Sequence, residues 1–125
     1  MLRDKNAIAT IAVKNIGVAR KFYEGALGLK ESSSEGPDVV EYASGSSRVL
    51  VYESKFAGTN QATAATWVVG DEIDGLVREL RSKGVRFEHY DMPDTRLEGD
   101  VHIAGKTRVA WFKDPDGNIL ALVNG

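Results

Sequence analysis

Ala7-Ile8-Ala9-Thr10-Ile11-Ala12-Val13 runs through Lys14-Asn15 into Ile16-Gly17-Val18-Ala19-Arg20-Lys21-Phe22-Tyr23-Glu24-Gly25-Ala26-Leu27-Gly28. The first seven residues are rich in β-branched side chains, which suit a pleated, half-buried strand. Asn15 is a good helix N-cap, because its side-chain oxygen can accept one of the orphan N–H groups of a first helical turn. From there the apolar positions Ile16, Ala19, Phe22, Tyr23 and Leu27 fall on one helical face, and Gly28 provides a stop. The same pattern returns later. Ala65-Thr66-Trp67-Val68-Val69 is a strand, Asp71 is a candidate N-cap, and Ile73, Leu76, Val77 and Leu80 form a second stripe that stops at Gly84. Val13 and Val69 are 56 residues apart, as are Gly28 and Gly84.

Working outward, residues 31–37 read as a turn or loop. Val39–Tyr42 and Arg48–Glu53 read as strands around the hairpin signal Ser44-Gly45-Ser46-Ser47. Residues 55–64 are small and polar and connect two halves. Val85–Tyr90 is a short strand, and residues 91–107 read as a long polar loop holding Pro93, Gly99, His102 and Gly105. Strands at 108–113 and 119–123 close the chain around Asp114-Pro115-Asp116-Gly117-Asn118, a hairpin turn. The reading is an α+β chain of two βαβββ modules, about 1–54 and 64–125, in one domain of 125 residues. Neither copy is large enough to bury its own helix and sheet, so the two fold together. Two curved mixed sheets of this kind are expected to enclose a cavity between them.

Composition narrows the partners. With 16 Lys and Arg against 18 Asp and Glu, the net charge of −2 offers no basic excess for nucleic acid. No stretch approaches the roughly 20 apolar residues of a membrane span. The N-terminus has no apolar signal-peptide core, so a cytoplasmic location is expected. With no cysteine, disulfides, thiolate nucleophiles and Cys-bound metals are excluded, and a transition metal would have to rely on His89, His102 or oxygen ligands. Asp114, Asp116 and Asn118 have the first spacings of a calcium loop, but Ile119 stands where that loop needs glycine, and the segment reads as a turn.

Ala19-Arg20-Lys21-Phe22-Tyr23-Glu24-Gly25-Ala26-Leu27-Gly28-Leu29, together with Ala110-Trp111-Phe112-Lys113-Asp114-Pro115-Asp116-Gly117-Asn118-Ile119-Leu120-Ala121-Leu122, resembles the glyoxalase / bleomycin resistance / extradiol dioxygenase (vicinal oxygen chelate) superfamily over essentially the whole chain. The resemblance implies paired βαβββ modules, a homodimer and a binding cavity inside curved sheets. Metal-dependent members hold a divalent ion at matching places in the two modules. Carried over one at a time, those places are Ile8, about Val51, Ala64 and Ala121, none of which offers a lone pair. The resemblance therefore implies no metal or other cofactor, and the family's metal-free, drug-sequestering binding proteins are the nearer models.

Strand alternation assigns a cleft face. Ile8, Thr10 and Ala12 are expected on it, with Val49, Val51 and Glu53, then Ala64, Thr66 and Val68, then Val109, Trp111 and Lys113, and finally Ile119, Ala121 and Val123. The ligand-binding candidates are Thr10, Val51, Glu53, Thr66, Trp111 and Ala121. A small, apolar face with one tryptophan suits an organic ligand with an aromatic part. Trp111 also fits plain core or dimer packing, and Glu53 a solvated strand end. His102, in the long loop, is read either as incidental or as a group that swings over the cavity mouth. The leading expectation is a metal-independent protein that binds a small organic ligand. The alternative is a glyoxalase-like lyase or isomerase, or a relative of the dioxygenases, with Glu53 or His102 as acid or base and a metal held by atypical ligands. A third is an accessory dimer with no ligand.

Overall fold

The computed structural model describes residues 1–33 and 36–125. β1 (Ala9–Val13) leads through α1 (Ile16–Arg20) into a wider π-helical turn (Lys21–Ala26), then β2 (Lys30–Ser33), β3 (Val39–Ser44) and β4 (Ser47–Glu53). The second half repeats the order. β5 (Thr63–Val68) is followed by a 3-10 turn (Gly70–Glu72), α2 (Ile73–Ser82), β6 (Phe87–Glu88), β7 (Arg96–Glu98), β8 (Val101–Ala104), β9 (Thr107–Lys113) and β10 (Ile119–Val123). The first sheet has the order β1-β4-β3-β2 and the second β5-β10-β9-β8-β7, with β6 also on β9. In each sheet the first and last strands of the half pair in parallel, and the other pairs are antiparallel. No helix among the described residues is long and apolar enough to cross a membrane.

Helix starts and stops follow the local chemistry. The Asn15 side chain accepts from the Val18 N–H at 3.0 Å, as expected of an N-cap. Asp71 does not cap α2. It lies in the 3-10 turn, and α2 begins after Glu72 with no side-chain cap. Gly84 has φ +86, and the N–H groups of Gly84 and Val85 close back on the carbonyls of Arg81 and Leu80, so a left-handed residue ends the helix.

Two loop readings change. Residues 30–33 form β2 on β3, while Ser34 and Glu35 lie outside the described residues. The segment 91–107 is not an open loop, because β7 and β8 form a hairpin on β9. The strand signal there is short, Val101-His102-Ile103, and it is flanked by the two-residue turns Gly99-Asp100 and Gly105-Lys106, whose polarity hides it. β2 pairs with β3 as β6 pairs with β9, so the hairpin is an addition to the second half.

Helix α1 and its π turn lie between the two sheets. Tyr23 stacks on Tyr42 of β3 at 6.2 Å and donates to Asp114, after β9, at 2.7 Å, while Phe22 packs on Phe112 of β9 at 6.4 Å. One core joins Ile11, Val13 and Val51 of the first sheet with Ala110, Phe112 and Leu120 of the second. The helix-bearing faces are therefore turned toward each other, and the opposite faces point outward. The α+β fold of two βαβββ modules in mixed sheets is the expected one, and within one chain the faces opposite the helices point away from each other. Asp114 ties the halves together. Its carboxylate accepts from Tyr23 Oη and from the Asp116 and Asn118 N–H groups, and Asn118 Nδ2 bridges it to the Ala12 carbonyl. Burial, with Asp114 beside it, raises the Tyr23 phenol far above its ordinary pKa and keeps it a neutral donor.

Candidate functional site

Strand register decides which residues share a face. In the first sheet, Ile11 lies opposite Val51 and Val13 opposite Glu53. Parallel partners project to the same side, and Ile11, Val13 and Val51 are all buried under the helix. Val51, 1% exposed, is a core residue and not a ligand contact, which overturns its assignment to the cleft face. Val49 and Glu53 move with it. Glu53 Oε2 lies 3.4 Å from the Ile16 N–H at the start of α1 and accepts from it. Thr10 is exposed on the outward face.

The second sheet keeps the expected parity. Thr66 lies opposite Ala121, and Ala121 opposite Trp111, so these three candidates share the outward face, but Ala121 is 2% exposed between its neighbours and is not a ligand contact. Val109 on that face lies opposite His102, and Trp111 opposite Glu88. The structure thus brings together Thr66, Ala121, Trp111, Glu88 and His102. Thr10 belongs to the other sheet.

An aromatic cluster surrounds Trp111. Its ring centroid is 4.8 Å from His102 and 5.3 Å from Tyr90, both edge-on, and its Nε1 donates to Thr63 Oγ1 at 3.2 Å. His102 is 1% exposed, so it does not swing over a cavity mouth. Its Nε2 accepts from the Tyr90 N–H at 2.9 Å, which places the proton of the neutral ring on Nδ1. Burial lowers its pKa, an effect the Val109 backbone partly offsets. His102 Nδ1 and Tyr90 Oη are buried without a regular hydrogen-bond partner among the described residues. His89 approaches Asp100 at 2.7 Å, and Lys113 pairs with Glu88 at 3.3 Å. Beside the cluster, Gln61, Thr63, Tyr90, Trp111 and Ile119 line a shallow concavity of about 320 Å³. Glu88 and Tyr90 were not singled out from the sequence. The signal was there, since Val85 and Phe87 point to the core and their alternates face outward.

A family model for the Glyoxalase/Bleomycin resistance protein/Dioxygenase superfamily matches residues 6–122. The chain belongs to this superfamily. Among solved structures, this superfamily member is similar to an integron cassette protein from the mobile metagenome of a Halifax Harbour sewage outfall, at 21% identity, TM-score 0.71, with 95% of this chain and 97% of that one covered. It is also similar to a variant of the fosfomycin resistance protein FosX from Listeria monocytogenes, complexed with Mn(II) and 1S,2S-dihydroxypropylphosphonic acid, at 18% identity, TM-score 0.71 and coverage of 100% and 92%. A third is lactoylglutathione lyase from Agrobacterium tumefaciens, at 14% identity, TM-score 0.72 and coverage of 98% and 95%. At these identities the likeness carries the fold. No curated protein matches the sequence.

The superfamily's metal chemistry can be tested against the side chains present. Divalent ions in protein sites are held by imidazole, carboxylate, carbonyl or thiolate donors. The four places carried over from the family are Ile8, Val51, Ala64 and Ala121, and Val51 is sealed in the core besides. Among the described residues no three His, Cys, Asp or Glu side chains converge in a group able to hold a metal ion. His89 and Asp100 are a pair, and His102 Nε2 is already committed to a backbone donor. The residues present do not fit a resident metal at the family's position.

Proposed function

We propose that this superfamily member is a metal-independent binding protein for a small organic ligand with an aromatic part, held on the outward face of the second sheet at Trp111 and Thr66. The observation that carries this reading is the side-chain set at the four metal places, which is wholly hydrocarbon. Thr66 is exposed and Trp111 half-buried, so part of the indole is open to a ligand, and aromatic contacts reward a flat ring there. The lyase or isomerase alternative needs Glu53 or His102 as an acid or base near that face. Glu53 is on the helix side, and His102 is enclosed and hydrogen-bonded through Nε2, so both support the binding reading.

The protein acts in the cytoplasm as a homodimer, with no nucleic acid or membrane partner. The outward faces carry exposed apolar side chains, including Ile8, Tyr52, Val68 and Leu97, of which Val68 is 73% exposed. Apolar groups spread over both open faces are what a second copy would cover.

Thermal shift against a panel of aromatic compounds tests the assignment, since a ligand specific for the folded state must raise the Tm. A hit should bind Trp111→Ala about fivefold more weakly or worse, the equivalent of the ~1 kcal/mol of an aromatic contact. Unchanged affinity in a folded Trp111→Ala protein would remove Trp111 from the site.

A further inference from the structure

The chain has two tryptophans, and they lie on opposite sides of the same sheet. Trp67 pairs in register with Leu122 and so points to the helix side, away from Thr66 and Ala121. It borders a cavity of about 330 Å³ between the end of the π-helical turn and α2. That volume is at the lower end of the ~300–1,000 Å³ of small-molecule pockets. The buried faces of Phe112 and Leu122 are its floor, and Leu27, Leu29 and Leu76 contribute to its walls. These wall residues are only partly buried, so apolar surface faces the space without being covered.

Polar groups in the cavity are few and unevenly matched. Trp67 Nε1 donates to Ser44 Oγ at 2.9 Å, which fixes the indole and satisfies its N–H. The Ser44 hydroxyl donates to no acceptor among the described residues, so its hydrogen is free for a ligand. Lys83 is exposed at the mouth, after α2, and no carboxylate lies within ion-pair distance of it among the described residues. Glu79, one turn earlier, is the single acid in the lining. An apolar floor with an unused hydroxyl donor and an unpaired ammonium calls for a flat apolar body that carries oxygen acceptors.

We propose that this helix-side cavity is a second small-molecule site, separate from the Trp111 face, and that it takes an aromatic carboxylate. The ring lies against Trp67, Phe112 and Leu122, and the carboxylate meets Lys83. The site is independent of the Trp111 assignment, because the two tryptophans report on them separately.

The test is titration of 2-naphthoate into the Trp111→Phe protein, where Trp67 is the sole tryptophan. Saturable quenching of Trp67 is expected. Lys83→Gln, an exposed substitution, should weaken it about fivefold, the loss of one charge-assisted contact at a partly wet mouth. Ala26→Phe, which places a ring in the space, should abolish it in protein shown to be folded by circular dichroism. Absence of saturable quenching overturns the site, as does quenching that survives a folded Ala26→Phe protein. Should Ala26→Phe not fold, Lys83→Gln decides. Equal affinity for 2-naphthoate and its methyl ester, or for wild type and Lys83→Gln, overturns the carboxylate assignment. The parallel titration of Trp67→Phe protein, read at Trp111, reports on the outward face alone.

Discussion

At the scale of single residues, Asp114 does the most to join the halves. It is almost fully buried and accepts four hydrogen bonds, one from Tyr23 in a different half of the chain. Hydrogen bonds to charged groups contribute roughly 1.5–3 kcal/mol each. Asp114→Ala should therefore lower the unfolding free energy in urea by about 3 kcal/mol or more, and Tyr23→Phe by about 1–2 kcal/mol. The sequence shows Asp114 as the first residue of a turn, and the turn is there. That it also receives the Tyr23 phenol, 91 positions away, is a consequence of packing that no local pattern encodes. His102 has a residue-scale signature too. Its folded pKa lies below its unfolded value, so the unfolded chain binds more protons in that window and stability falls as pH drops through about 6.5. The stability lost by wild type between pH 7.5 and 5.5 should be smaller in His102→Gln, as measured by urea unfolding at both pH values; an equal loss would place the proton uptake elsewhere.

At the scale of elements, helices and central strands were readable because each has a strong period, and the Asn15 cap and the Gly28 and Gly84 stops are where the chemistry puts them. Two features were hidden for physical reasons. Alternation within β4 offers two apolar faces, Val49 with Val51 and Leu50 with Tyr52, so only its pairing with β1 decides which one is buried. A shift of one residue there moved Val51 and Glu53 to the helix side. The β7–β8 hairpin was hidden because both strands are very short and its turns are polar. The connection 55–62 looks featureless in sequence, yet Gly58, at φ +73, packs against the Asp114–Asn118 turn so closely that a Cβ would fall 2.1 Å from the Asp116 carbonyl oxygen. Gly58→Ala should cost about 2–4 kcal/mol, combining the left-handed backbone with the overlap. Gly84→Ala, equally left-handed but facing open space, should cost about 1–2 kcal/mol. Equal losses in thermal unfolding would mean that the 55–62 segment moves aside without cost.

At the scale of the whole molecule, the repeat made the architecture legible, and the resemblance of its motifs to the superfamily is matched by the family model. What repetition could not supply is how the two sheets face each other. Placing α1 between them turns the Thr10 and Thr66 faces outward, and each presents apolar surface. A homodimer that covers those faces predicts twice the chain mass in solution, and a charge placed on one of them, Val68→Asp, should shift light scattering toward the monomer while the fold is kept; an unmoved mass would put the interface elsewhere. The central claim, binding without a metal, has its most direct test in the elemental analysis of protein purified without a histidine tag, followed by thermal shift with Mn(II), Zn(II) and Ni(II). The expected result is no stoichiometric divalent ion and no rise in Tm on adding any of them. One bound ion per chain, or a Tm that climbs with metal concentration as linkage requires of a folded-state ligand, would contradict it.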